Sequence, residues 1–186
     1  MPTKIAPEVV CWDSCIFIDF FKKTADRHEY INALVNKAKR GKIIIAYSCI
    51  VLPEVSYFEE KAGNQPRKAS HKEIDIIEEF MNRPYLSPIS TTQFIGSAAQ
   101  RIRNAKDVRI TPIDATIIAS SIVECIPILL TYDGSGPNNR TPMLALNNKF
   151  NLGFNTANPK LKVMTPNDYW QTDPEREEFF GKPDDL

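Results

Sequence analysis

Four carboxylates in this sequence stand where strands end or helices begin, the places from which acids on distant segments can meet. Asp13 directly follows the apolar run Val9, Val10, Cys11, Trp12; Asp133 closes "PILLTYD"; Glu54 lies just past "KIIIAYS"; and Asp114 falls in the first turn of "TPIDATIIASSIVEC". Acids gathered beside a hydrophobic sheet repel one another and resist desolvation, so such a cluster calls for a bound cation. Hard oxygen donors favour Mg²⁺ or Mn²⁺. Three of the acids also have an ordinary structural use. Asp114 complements a helix N-terminus, Asp133 opens the turn-like "YDGSG", and Glu54 suits a solvated helix face. Asp13 has none so evident, since a strand running straight into a helix can use Ser14 as its cap.

The elements that must position these acids alternate between strand and helix. After the first strand, residues 15 to 24 read as helical, and "ADRHEYINALVNKAKRG" spaces Tyr30, Ile31, Leu34, Val35 and Ala38 as one helix face, with Gly41 at its end. "KIIIAYS" is a β-branched strand, and a helix is expected across "CIVLPEVSYFEEKA". The polar "AGNQPRKAS" predicts a turn or excursion before a helix through "HKEIDIIEEFMN". "YLSPIS" is a short strand, "TTQFIGSAAQRIRNAK" a helix capped by Thr91 or Thr92, "TPIDATIIASSIVEC" another helix and "PILLTYD" a core strand. This alternation predicts an α/β fold in which a central parallel sheet is flanked by helices on both faces. Ligands of such sheets bind outside the carboxyl ends of the strands, where Asp13, Glu54, Asp114 and Asp133 would converge.

Composition sets the outer bounds. The 186 residues, 42% hydrophobic and 25% charged, suit one soluble domain. No apolar run approaches the roughly 18 residues of a membrane span and "MPTKIAPEVV" lacks a signal-peptide core, so a cytoplasmic protein with no membrane partner is expected. Cys11, Cys15, Cys49 and Cys125 sit in apolar segments without zinc spacing, which predicts buried free thiols. Net charge is zero, but residues 166 to 186 hold seven acids against two bases and leave the body mildly basic. Arg101, Arg103, Lys106, Arg109 and Arg140 are candidates for steering a polyanion, although solvated helix faces account for the same residues.

With these segments in view, the sequence resembles the PIN-domain family of metal-dependent ribonucleases, in its toxin-like (VapC-like) branch. "CWDSCIFIDFF" is similar to the family's first motif, a strand followed by Asp, Thr or Ser, and usually Asn; "YSCIVLPEVSY" is similar to the second, which carries the Glu. "TPIDATIIASSI" is similar to the third, and "ILLTYDGSG" to the fourth, in which Thr or Ser precedes the last acid by two residues. The resemblance implies a single PIN-like domain over residues 1–170, with insertions near 61–72 and 134–160, and an acidic C-terminal tail over 171–186. It assigns Asp13, Glu54, Asp114 and Asp133 to catalysis and to Mg²⁺ or Mn²⁺, with Ser14 and Thr131 as supporting hydroxyls. Asp19 reads as structural, and His28 and His71 match no motif and read as surface residues.

Two departures stand out: Cys15 replaces the usual Asn, whose amide makes hydrogen bonds that a thiol supplies poorly, and the Gly-, Pro- and Asn-rich stretch after Asp133 reads as a mobile extension shaping substrate choice. The implied reaction is hydrolysis of RNA phosphodiester bonds assisted by one or two divalent ions, without a protein nucleophile. The partners this admits are an RNA substrate, an antitoxin protein if the chain is the toxin of such a pair, and a second copy of the chain in a homodimer. Two other readings exist. A degenerate PIN domain would serve as a non-catalytic RNA-binding or protein-interaction module, and a haloacid-dehalogenase-type phosphatase would use Asp13 as nucleophile but expects a second Asp where Cys15 stands.

Overall fold

The apolar runs form a parallel sheet and the periodic segments form the helices that cover it. The computed structural model describes residues 6–59, 66–135 and 140–181. Strand β1 (Glu8–Trp12) passes through one residue, Asp13, into helix α1 (Ser14–Lys22), and α2 (His28–Lys39) leads to β2 (Ile43–Ser48). A 3-10 turn over Cys49–Val51 runs into the short α3 (Leu52–Val55), and β3 (Tyr57–Glu59) pairs with β4 (Pro66–Lys68) as an antiparallel ribbon. Then come α4 (His71–Met81), β5 (Leu86–Ile89), α5 (Gln93–Arg103), α6 (Pro112–Val123), β6 (Ile128–Leu130), β7 (Lys162–Met164), α7 (Pro166–Thr172) and α8 (Arg176–Phe180).

The main sheet has the order β5-β2-β1-β6-β7 and every pairing in it is parallel. From β1 the chain builds outward to β2 and β5, then returns to add β6 and β7 on the other side. That reversal opens a crevice at the carboxyl ends of β1 and β6. Trp12, Phe17, Ile45, Ile117, Leu129 and Trp170 are fully buried between sheet and helices.

Local chemistry fixes the boundaries. Ser70 and Glu73 form a reciprocal capping box at the start of α4, and the Thr92 and Thr111 hydroxyls accept from the backbone N–H of Ile95 and Asp114 to start α5 and α6. At the end of α2, Gly41 takes φ +71° while its N–H reaches the Ala38 carbonyl at 2.8 Å and Lys42 N–H reaches Lys37 at 3.2 Å, a Schellman closure.

The structure departs from several expectations. The helix predicted across "CIVLPEVSYFEEKA" ends at Ser56, where the β-favouring Tyr57 and Phe58 turn the chain into β3. The predicted excursion falls partly on residues 60–65, outside the described residues. The stretch after Asp133 is, from residue 140 onward, folded structure: Met143, Leu146 and Leu152 are buried in the core. The acidic segment from residue 171 is docked as far as residue 181, with Phe179 and Phe180 against Trp170 at ring-centroid distances of 4.9 and 5.1 Å. The four thiols are free as expected, but only Cys11 is fully buried, and Cys125 is exposed at φ +53°. Among the described residues no helix is long and apolar enough to cross a membrane.

Candidate active site

Asp13 occupies the single residue between β1 and α1, so its position is fixed by the central strand of the sheet. Its carboxylate is the cap of α1, accepting from Ser14 N–H at 2.6 Å, which corrects the expectation that Ser14 itself would cap the helix. The other oxygen, Oδ2, accepts from the Thr131 hydroxyl at 2.7 Å and the Cys15 thiol at 3.0 Å. Oδ1 retains more capacity, since its second contact is a long one of 3.3 Å from the Ser14 hydroxyl. Burial pushes the Asp13 carboxyl up from the ordinary carboxylate range; the thiol and hydroxyl oppose this, and the charge of Asp114 adds to it.

Cys15 supplies in sulfur much of what an amide would. Its thiol donates to Asp13 and accepts from the Tyr132 N–H at 3.2 Å. Burial, reinforced by the Asp13 charge, pushes that thiol well above the usual cysteine range, so it stays protonated and is no nucleophile.

The other acids arrive from three separate elements. Glu54 sits on α3, where burial raises its carboxyl, the Ser14 hydroxyl opposes the rise, and the charges of Asp13 and Asp114 add to it. Asp114 lies in the first turn of α6 and accepts the Thr111 hydroxyl at 2.6 Å. Asp133 follows β6, with its own N–H donating to Thr131 Oγ1 at 2.9 Å and its Oδ2 accepting from Met143 N–H at 2.9 Å. All four acids, with Ser14, line one cleft of about 370 Å³, which is also lined by Arg27, Tyr132 and Arg140.

Arg140 places its guanidinium between two of the acids. One nitrogen, Nη2, donates to Asp114 Oδ2 at 2.7 Å and to Asp133 Oδ2 at 3.0 Å. Among the described residues, no three His, Cys, Asp or Glu side chains are arranged to hold a metal ion as they stand. The cleft therefore gathers the four acids without presenting a finished ligand shell. Its donor chemistry nonetheless fits a hard divalent cation: carboxylates from four segments, two of them pushed toward protonation by burial and by the charge of neighbouring acids.

Arg27 and Tyr132 were not legible as site residues in the sequence. Arg27 stacks its guanidinium over the Tyr132 ring at 4.3 Å and pairs with Asp19 at 2.8 Å, the structural use expected for that acid. Both belong to connecting segments, where no periodicity marks a residue. Neither histidine lines the cleft; His28 stacks on Phe20 and His71 is exposed.

Thr131, fully buried, joins Asp13 to the backbone of Asp133 through one hydroxyl. Thr131→Val should leave both partners short of a hydrogen bond, costing about 1–3 kcal/mol of stability. On the ribonuclease activity that the sequence resemblance implies, cleavage should fall about 10–100-fold, as for groups that orient ligands rather than bind them. Thr131→Ser should restore both in parallel thermal melts and RNA cleavage assays. A Val variant as active as the wild type would remove Thr131 from the site.

Comparison with known proteins places the fold. No curated protein matches the sequence. Among solved structures, the chain is similar to VapBC2 from Rickettsia felis bound to a DNA fragment from their promoter, with 23% identity over 66% of this chain and 86% of that one, at a TM-score of 0.49. It is also similar to VapC20 of Mycobacterium tuberculosis, a sarcin-ricin loop cleaving toxin, with 15% identity over 68% of this chain and 91% of that one, at a TM-score of 0.52. The latter likeness is one of fold. The model of the PIN domain matches residues 10–135, a span that begins in β1 and runs past Asp133 and so contains all four acids of the cleft. A match over well more than half of the chain, on a parallel sheet of this strand order, shows that it belongs to the PIN domain family.

Proposed function

We propose that the protein is a divalent-metal-dependent endoribonuclease that hydrolyses RNA phosphodiester bonds, with Asp13, Glu54, Asp114 and Asp133 holding the cation and Ser14 and Thr131 supporting them. The observation that carries this reading is the meeting of four acids from four segments in one cleft, at the point where the sheet reverses its strand order. Bound Mg²⁺ or Mn²⁺ would supply an activated water and offset the charge that develops on phosphorus. The chain's own residues supply placement. Thr131 and Cys15 immobilise Asp13 Oδ2 and leave Oδ1 as the oxygen with spare capacity, while the α1 N-terminus behind it holds the carboxylate in one orientation. Cys15, standing where a phosphatase of the haloacid-dehalogenase type expects a second Asp, disfavours Asp13 as a phosphatase nucleophile.

The finer reading we propose is a cytoplasmic toxin with an antitoxin partner, with a homodimer as a further assembly; VapC20, which shares the fold, is itself a sarcin-ricin loop cleaving toxin. The test uses purified full-length protein and RNA. Cleavage should stop in excess chelator and return with Mg²⁺ or Mn²⁺; cleavage that persists in chelator would overturn metal dependence. RNA binding without cleavage under every metal condition would favour a non-catalytic module, for which the Arg140 bridge across Asp114 and Asp133 is the supporting observation.

A further inference from the structure

Arg140 lies beyond the residues matched to the PIN domain, in the stretch that follows Asp133 and folds back over the acids. Its hold on them is incomplete. Nη2 alone makes both carboxylate contacts, and Nε is buried with no hydrogen-bond partner among the described residues, so the forked geometry that makes arginine–carboxylate pairs strong is not used on these acids. The neighbouring backbone is pinned at the cleft: Thr141 N–H donates to the Arg109 carbonyl at 2.8 Å, and Arg109 N–H donates to Thr141 Oγ1 at 2.9 Å. The guanidinium can change partners while its backbone stays in place, and its side chain is already 31% exposed.

A divalent ion on Asp114 and Asp133 would compete with the guanidinium for the same oxygens and repel it at close range. Displaced, Arg140 would remain at the mouth of the cleft as an unpaired cation facing an incoming polyanion, and the guanidinium is well suited to phosphate. We propose that Arg140 and the divalent cation are alternative occupants of the Asp114–Asp133 pair, and that the arginine released by the cation becomes a positioning contact for an RNA phosphate. This rests on the metal-site reading above. Before the cation arrives, Arg140 neutralises two of the acids; afterwards it turns the same charge toward the substrate strand.

The exchange is tested by binding rather than by turnover. Mn²⁺ affinity is measured by the loss of the free-ion electron paramagnetic resonance signal, for metal-free wild type, Arg140→Gln and Arg140→Lys. Gln should tighten Mn²⁺ binding about 5–150-fold, the usual range for two ligands coupled through one site, while Lys, which keeps a competing charge, should stay nearer the wild type. Equal affinities in all three proteins, or weaker binding in Arg140→Gln, would overturn the exchange while leaving the metal site standing. Absence of Mn²⁺ binding in all three would overturn the metal-site reading and the exchange together.

The phosphate role has its own readout, the salt dependence of single-stranded RNA binding followed by anisotropy with Ca²⁺ as the oxygen-ligated cation. Arg140→Gln should flatten the log–log slope by about 0.7, the value for one lost phosphate contact on a single strand, with Ca²⁺ present and not in chelator. An unchanged slope with Ca²⁺ would overturn that half of the proposal.

Discussion

Asp13→Asn is expected to lower RNA cleavage by about 100-fold or more while leaving the protein folded. Asparagine caps helices about as well as aspartate, so the side-chain oxygen that accepts from Ser14 N–H is retained and α1 should start at the same residue. What disappears is the charge. Cation-assisted stabilisation is worth several kcal/mol and each factor of ten in rate about 1.4 kcal/mol, which sets the size of the loss. Stability in chelator should move the other way at neutral pH. Burial holds the Asp13 carboxyl above its ordinary value, so the folded protein binds this proton more tightly than the unfolded chain does. An acid raised in this way penalises the fold once ionised. Asp13's own contribution is therefore a gain in stability as pH falls through the raised value toward the ordinary one near 4, with Glu54 contributing in the same direction and the lowered Glu73 and Glu175 opposing it equally in wild type and variant. Asp13→Asn should lack Asp13's share of this gain, because only the Glu54 part remains. Thermal melts across pH 4–8 in chelator measure this, and a variant that cleaves RNA like the wild type, or whose melting curve tracks the wild type at every pH, would remove Asp13 from the role given to it.

How far the site could be read from sequence depended on which signals were local. The order of β1, β2, β5 and β6 with the longer helices between them, a threonine cap at Thr91 or Thr92 and the turn at Gly41 follow from short-range patterns, and the structure reproduces them, with Thr92 as the cap. Convergence of the acids followed from one further step, because the carboxyl ends of parallel strands face the same side. The helix past Glu54 was overextended because its residues are compatible with a helix, and only the partner strand at Pro66–Lys68 draws Tyr57–Glu59 into β structure. Asp13 looked free of structural work because Ser14 is an equally good cap by type; the backbone chose the acid. Arg140 was visible only as one of several bases. Its contacts to Asp114 and Asp133 depend on how the stretch after Asp133 folds back, and the flanking Gly, Pro and Asn residues masked the apolar run Met143 to Leu146 that anchors it in the core.

The acidic C-terminal segment shows the same limit, and its test carries the second large effect. Read by composition, residues 171–186 are a tail; in the fold, Asp173 pairs with Lys37 of α2, and the two side chains are only 4% and 7% exposed. Glu175 stands 3.6 Å from the same ammonium, which also lies 5.5 Å from the Tyr169 ring and 5.4 Å from that of Trp170. Lys37→Ala would strand a buried carboxylate without its cation, a change that typically costs about 3–5 kcal/mol. In a chain of this size that is a fall in melting temperature on the order of 10 °C. Joint replacement by Lys37→Met and Asp173→Leu removes both charges and fills the space, so it should lose far less than the single change. Arg40→Ala serves as the control, because its pair with Glu178 is half exposed on both sides and such surface pairs contribute about 1 kcal/mol or less. We propose on this basis that residues 171–181 belong to the folding unit rather than to an appended tail. A Lys37→Ala protein that melts with Arg40→Ala, or a double variant no better than the single one, would show instead that this segment is a dispensable appendage.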